Sequence, residues 1–600
     1  MKIMKTMKRL LAYMWEHSFM LVIVLVSMIV GPACSVRATY YLKPLINDCL
    51  IPLIGQEAPD YSEAMKIFIL IAVMYGIAVT AKLIQSIIMV SVSNRVMYRI
   101  RNEMFCAMQK LPLQYFDTHS RGETMSYYSA DVDALSQMLR QGIPRIVEGI
   151  TTIITIVVTI LTTNLRMSAV VIGCVACISL ILGLLSGNKS KHFKDQQDMI
   201  QELNSYGEEM ISGRAEVKAF SHEAAAAGEF AEINGRLYGS MTKADFFADS
   251  MFTFASGLSY VGYTAVAVIG CLMSFSGITD AGTVGVFLQY YRKLYAPVTR
   301  ISKQVSNMFS AVAGAERIFA FLDLEAEVDE GAVHLVKNEM GDPSWVMPDG
   351  SLKPCRGNIE FSHVDFAYSA DGPTILHDLS LSVGEGKTVA IVGTTGAGKT
   401  TVVNLLSRFY EISSGRITLD GIDVKEICKE DLRHAAGAVL QDVHLFSMSV
   451  KENIRFGNAD ADDNDIKKAA EVANAGRFIE LLEDGYDTVL VHGGEALSQG
   501  QKQLLAIARA SAGQFPVLVL DEATSSIDSR TELLVSRGLD ALMKDKTVIV
   551  IAHRLSTIKD ADCIVVLDAG RIAESGTHSQ LMERKGIYYG LYRSTTGAAG

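Results

Sequence analysis

Apolar residues are concentrated in the first half of the chain, in long runs without a charge. Phe19–Val36 is uncharged, as is Ile67–Ala81, which continues after Lys82 as Leu83–Val92. Ile150–Leu165 and Met167–Asn188 are separated by Arg166 alone, and Ser250–Thr279 is uncharged throughout. Ala281–Tyr291 is shorter and runs into an amphipathic stretch reaching Leu322. At about 1.5 Å per residue, eighteen helical residues cover roughly 27 Å, close to the hydrocarbon core of a bilayer. The pattern predicts six membrane helices, about 17–47, 62–92, 137–164, 166–189, 246–279 and 281–322, the sixth from spacing more than from hydropathy. Lys2, Lys5, Lys8 and Arg9 before the first run also fit a secretory signal. No small-residue cleavage site follows closely, and five further runs favour a multi-pass protein.

Charge asymmetry gives the orientation. Arg95, Arg99, Arg101, Lys110, Arg121, Arg140 and Arg145 lie between runs two and three. Lys189, Lys191, Lys194, Arg214, Lys218, Arg236 and Lys243 lie between runs four and five. The opposite-side connections are short, and the longer one, residues 48–63, is acidic. Both termini are therefore expected in the cytoplasm of a cell (plasma or inner) membrane protein. The two cytoplasmic connections are poor in Gly and Pro and helical in pattern, so they read as spans extended beyond the bilayer. Lys82 and Glu148 fall in or near spans, where a charge is a functional hypothesis; interfacial placement competes with a role in a substrate cavity. Cys174-Val-Ala-Cys177 lies in mid-span and reads as small-residue packing.

The chain has 600 residues, 49% of them hydrophobic and 20% charged, with a net charge of -11. A mean hydropathy of +0.23 with that much charge requires a membrane part and a soluble part. The acidic balance disfavours nucleic acid as a partner. Nine scattered cysteines do not make a disulfide scaffold.

Near residue 325 the sequence turns acidic and loop-like, and Pro343, Pro348 and Pro354 cluster. From Gly357 onward, strand-like runs alternate with helical ones, the pattern of an α/β domain. Thr388–Val392 is a buried-strand run followed by Gly393-Thr394-Thr395-Gly396-Ala397-Gly398-Lys399-Thr400 and a helical segment from Thr401. This is GxxxxGK[ST] in the strand–loop–helix setting of a phosphate loop. Its N–H groups and the helix N-terminus face phosphate oxygens. Lys399 is expected to reach the β- and γ-phosphates, and Thr400 to ligate Mg²⁺. A second strand run, Val517–Leu520, ends in Asp521-Glu522, placing Asp521 to hold Mg²⁺ through water and Glu522 to polarise the attacking water.

Just upstream, Ala496-Leu497-Ser498-Gln499-Gly500-Gln501 resembles the LSGGQ signature of ATP-binding cassette (ABC) proteins. In the same order as in that family come Tyr368, matching the aromatic on adenine, Gln441 in Val439-Leu-Gln-Asp, Ser525-Ser-Ile-Asp528, and His553 in Ile551-Ala-His-Arg. Leu111–Asp117 with Gly122 and Asp131-Val-Asp133, and Glu208–Gly213 with Val217–Phe220, resemble the intracellular loops of the exporter type. The resemblance implies an all-α six-helix membrane domain (1–325), a linker (326–356), an α/β P-loop ATPase domain (357–593) and a flexible tail (594–600), together a half-transporter. It further implies ATP and Mg²⁺ as cofactors, with Gln441 joining Thr400 and Asp521 at the metal and His553 on the γ-phosphate. Ser498, Gly500 and Gln501 would cap the nucleotide of a second half-transporter, so a dimer in the lipid bilayer is implied. Tips near 111–130 and 205–220 would dock on the cassettes. Gln499 stands where Gly is usual, which favours a heterodimer over a homodimer.

The implied activity is ATP-driven export or flipping of a small amphipathic or hydrophobic molecule. Import of a metal chelate, peptide export and an ATP-gated regulatory or sensor role remain alternatives. A soluble cassette ATPase is disfavoured by the apolar runs.

Overall fold

The apolar runs become long helices: Ser18–Tyr40, Ser62–Met108, Ile143–Thr163, Leu165–Leu185, Glu223–Phe275 and Ala281–Leu322. The computed structural model describes residues 2–54, 60–185, 189–338, 341–369, 372–440, 443–491, 493–521, 528–551 and 558–596. Two units emerge, one made of Met1–Gln109 with Arg121–Leu324, the other of Lys110–Ser120 with Glu325–Gly600.

In the first unit, the Ser62–Met108 helix has 47 residues and Glu223–Phe275 has 53. At about 1.5 Å per residue these are roughly 70 and 80 Å long, more than twice the hydrocarbon thickness. Among the described residues, four helices are long and apolar enough to cross a membrane: Ser18–Leu53, Ser62–Met108, Arg121–Thr163 and Ser256–Phe275. Leu165–Ile181 is a shorter apolar helix. Ala281–Leu322 is diluted by Arg292, Lys293, Arg300 and Lys303; its start is fixed by Asp280, which accepts from the Thr283 N–H at 2.7 Å.

Two fully buried tyrosines fasten this helix to its neighbours. The Tyr290 hydroxyl donates to the Val36 carbonyl and that of Tyr291 to the Ser259 carbonyl, both at 3.0 Å. A buried phenol needs such an acceptor. Gly262 makes the Tyr291 approach possible, because a Cβ there would collide with the hydroxyl.

The second unit contains thirteen strands among its described residues: β1 His334–Lys337, β2 Pro343–Val346, β3 Leu352–Pro354, β4 Ile359–Phe366, β5 Leu376–Val383, β6 Thr388–Gly393, β7 Ser414–Leu419, β8 Ile422–Asp423, β9 Ala436–Val439, β10 Val517–Asp521, β11 Thr547–Ile551, β12 Cys563–Asp568 and β13 Arg571–Gly576. The main sheet runs β13-β12-β6-β11-β10-β9, parallel except for β13. Successive residues of a strand face opposite ways. Val389 and Ile391 therefore enter one core with Ile549 and Ile551, while Ala390 and Val392 enter the other with Val548 and Val550. A strand buried on both faces has to be apolar at every position, which explains the unbroken runs. An antiparallel sheet, β5-β4-β7-β8, shares the first of these cores.

The segment expected as a linker is structured. β1, β2 and β3 form an antiparallel sheet, and Trp345 on β2 is fully buried in the cassette core. Its Nε1–H donates to Asp420 Oδ2 at 2.9 Å, and the Asn358 N–H donates to Oδ1 at 2.9 Å. The tail also begins in order, since the last described helix is Ile587–Thr596. Trp345→Ala is expected to destabilise the cassette by about 3–5 kcal/mol, the usual cost of emptying a buried aromatic site. Scanning calorimetry of the full chain checks this through the transition assigned to the cassette; an unchanged transition would contradict it.

Candidate nucleotide-binding site

β6 is flanked by β12 and β11, so its carboxyl end opens at the centre of the sheet's ligand-binding edge. There the chain turns through Gly393–Gly398 into the helix Lys399–Leu406. Gly396 and Gly398 have φ of +83° and +97°, which an L side chain rarely adopts, and a Cβ on Gly398 would lie 2.7 Å from Leu376 Cδ2. Gly398 is the N-cap and offers no side-chain acceptor to the first turn. Lys399 is buried, and its ammonium donates to the carbonyls of Gly393 at 2.9 Å and Thr394 at 3.0 Å, inside the curl of the loop. Burial pushes Lys399 below the ordinary lysine value, and the charge of Asp521 works against that shift. A buried cation beside uncapped N–H groups fits a polyphosphate.

Asp521 ends β10 and pairs in register with Ile551, which pairs with Ile391 of β6. Two strand spacings put it about 10 Å across the sheet from the strand that feeds the loop. Thr400 is exposed in the first turn of the loop helix, so a hydroxyl and a carboxylate of the type Mg²⁺ takes are present on the same sheet edge. Tyr368 follows β4, and its hydroxyl is 3.0 Å from Thr401 Oγ1. Its ring packs edge-on against Phe366 and Tyr410, with centroids 4.8 and 4.9 Å away. Folding thus brings Tyr368, the 393–401 segment and Asp521 to one unit and one edge. Gln441, Glu522 and His553 lie outside the described residues, as do Ser525–Ile527.

Ser498 is the N-cap of the helix Gln499–Gly513. Its Oγ accepts from the Gln501 N–H at 3.3 Å, while Gln501 Oε1 accepts from the Ser498 N–H at 2.9 Å. The two signature side chains thus form a capping box that fixes the start of this helix. Gly500 is buried, and Ser498 and Gln499 are exposed. Asp528 caps Ser529–Met543 through its carboxylate, accepting from the N–H groups of Arg530 and Thr531 at 3.1 and 3.0 Å.

Some residues here carry no sequence signal of their own. Arg509, on the signature helix, donates to the Asn453 carbonyl at 2.9 Å and the His444 carbonyl at 3.1 Å, and lies over the rings of Phe446 and Phe456. It ties that helix to the segment following Gln441. Gln114 and Asp117 were legible only as parts of the Leu111–Asp117 motif. Gln114 Nε2 donates to the Tyr368 carbonyl at 3.0 Å, and the Tyr410 hydroxyl donates to the Asp117 carboxylate. Burial first, then Asp117, push the Tyr410 hydroxyl well above the ordinary tyrosine value. These contacts show why residues 110–120 belong with the cassette.

In the helical unit, Lys82 pairs with Glu148 at 3.6 Å, so the two charges noted in the spans answer each other. Lys293, not singled out by the sequence, donates to Ser35 O and Oγ at 2.9 Å and to Thr39 Oγ1 at 2.7 Å. No carboxylate is paired with it among the described residues.

Comparison with known proteins decides the family. Residues 19–298 match the ABC transporter transmembrane region family, and residues 376–525 match the ABC transporter family. The chain is 35% identical over 589 residues to the ABC transporter ATP-binding protein YfiC of Bacillus subtilis, covering 98% of this chain and 94% of that protein. This chain belongs to the ABC transporter family. A further relative, the fatty acid ABC transporter ATP-binding/permease protein of Mycobacterium bovis, is 38% identical over 500 residues, 83% of this chain and 76% of that protein. A bacterial Atm1-family ABC exporter solved with ATP bound shares the fold, with a TM-score of 0.76 at 24% identity over 97% of this chain and 99% of that one. The ABC half-transporter is a membrane protein whose cassette binds and hydrolyses ATP to drive transport, and half-transporters of this kind work as dimers.

Proposed function

We propose that this ABC half-transporter exports or flips a small amphipathic molecule across the cell membrane, six spans within 1–325 forming the pathway and a cassette at 357–593 supplying the drive. The observation that carries the reading is the union, in one chain, of a phosphate loop closed around buried Lys399 with helices long enough to cross a bilayer. Both termini are cytoplasmic, as the basic connections suggest. Tyr368 supports the adenine, and the 393–401 segment holds the phosphates. Thr400, Gln441 and Asp521 hold Mg²⁺, which would neutralise phosphate charge. Glu522 orients and polarises the attacking water, and His553 contacts the γ-phosphate.

Ser498, Gly500 and Gln501 open a helix whose N-terminus faces outward, suited to an anion on another chain. The partner is a second half-transporter, and Gln499 favours a different chain over a second copy. ATPase activity of the chain purified alone, at the level of the co-expressed pair, would argue for a homodimer instead. Lys293, a cation in a membrane helix held by neutral oxygens, supports an amphiphile with an acidic headgroup, in keeping with the fatty acid named for the mycobacterial relative.

The test is reconstitution of the assembly in liposomes with a fluorescent fatty acid. ATP-dependent movement that Lys293→Ala reduces while ATP turnover persists is expected. Equal movement with and without ATP would contradict the reading.

A further inference from the structure

Away from the nucleotide site, β1 and the helix Lys429–Ala435 bring three metal-ligating residue types together. His334 lies on β1, Cys428 immediately precedes the helix, and Asp431 is in its first turn. One ligand atom from each lies within 4.8 Å of the other two. His334 Nδ1 is 2.8 Å from Asp431 Oδ2. Cys428 Sγ is 3.3 Å from Asp329 Oδ2, a carboxylate already aimed by the Lys429 N–H at 2.9 Å.

The backbone fixes this arrangement. The Val333 N–H donates to the Glu426 carbonyl and the Cys428 N–H donates to the Val333 carbonyl, both at 3.0 Å. The ligands therefore sit on two chain segments already joined by main-chain bonds, the rigid presentation a site needs. Lys429 and Arg433 do not compete for the cluster, because both are paired with Glu327.

The geometry points to a binding site for one Zn²⁺-type ion held by His334, Cys428 and Asp431, with Asp329 as fourth ligand or as hydrogen-bond partner behind the sulfur. Zinc takes sulfur at about 2.3 Å and imidazole nitrogen or carboxylate oxygen at about 2.0–2.2 Å, so sub-ångström side-chain shifts close the site. The mixed S, N, O donor set disfavours Mg²⁺ and Ca²⁺, which take oxygen ligands. Binding releases the Cys428 thiol proton to solvent, and thiolate plus carboxylate balance the ion's charge. His334 is mostly exposed, which provides an entry path. The ion would clip β1, at the entrance to the cassette, to the helix leading into β9 and Gln441.

The test uses the full chain without a polyhistidine tag, in detergent, stripped by a chelator and titrated with Co²⁺. One Co²⁺ per chain is expected, with a thiolate-to-cobalt charge-transfer band that Zn²⁺ abolishes. Cys428→Ser removes the band, and His334→Ala and Asp431→Asn each weaken binding about tenfold or more at an unchanged melting temperature of the metal-free protein. Absence of a sulfur band, a band that survives Cys428→Ser, or Co²⁺ affinity unchanged in both His334→Ala and Asp431→Asn overturns the site.

Discussion

Glu522→Gln is expected to lower steady-state ATP turnover about a thousandfold while ATP affinity stays at the wild-type level. The magnitude follows from the typical loss when a positioned acid–base group is removed. In the sequence Glu522 follows Asp521, the last residue of a strand whose preceding positions are buried. Glutamine keeps the size and hydrogen-bonding capacity of the side chain but cannot accept the proton from water. Phosphate release measured beside equilibrium ATP binding separates the two effects. Undiminished turnover would refute the assignment, and loss of both would make Glu522 a binding residue.

Lys399→Ala should have the second largest effect, a loss of nucleotide affinity of about a hundredfold, the scale of losing charge-assisted hydrogen bonds worth roughly 3 kcal/mol. The ammonium is already buried within the loop, so much of its desolvation cost is met in folding, and a triphosphate would gain a preformed cation. Lys399→Arg should not restore affinity, because the planar fork cannot replace a compact ammonium bonded to two loop carbonyls. Binding of a fluorescent ATP analogue measures both variants, and wild-type affinity in Lys399→Ala would contradict this account.

Local signals were readable where chemistry and structure share one short segment. The phosphate loop is such a case, because strand, glycines, Lys399 and helix are consecutive. The capping box at Ser498 closes over three residues, yet the sequence pointed Ser498 and Gln501 at a partner's nucleotide and gave no sign that they bond to each other. The linker was not legible. Its proline cluster and acidity read as loop, and Trp345 is buried in a core built by distant residues, its Nε1–H donating to Asp420, 75 residues away. Lys293 gave no signal either, because its meaning depends on Ser35 and Thr39 from another helix. Lys82 and Glu148 did stand out as charges in spans, but their mutual pairing is a fact of packing.

Two chains are expected to complete each ATP site. Cryo-EM of the intact Glu522→Gln assembly in nanodiscs with ATP and Mg²⁺ tests it most directly. The triphosphate should lie between the Gly393–Thr400 loop of one chain and the signature of the other. A nucleotide enclosed entirely by a single chain would contradict it.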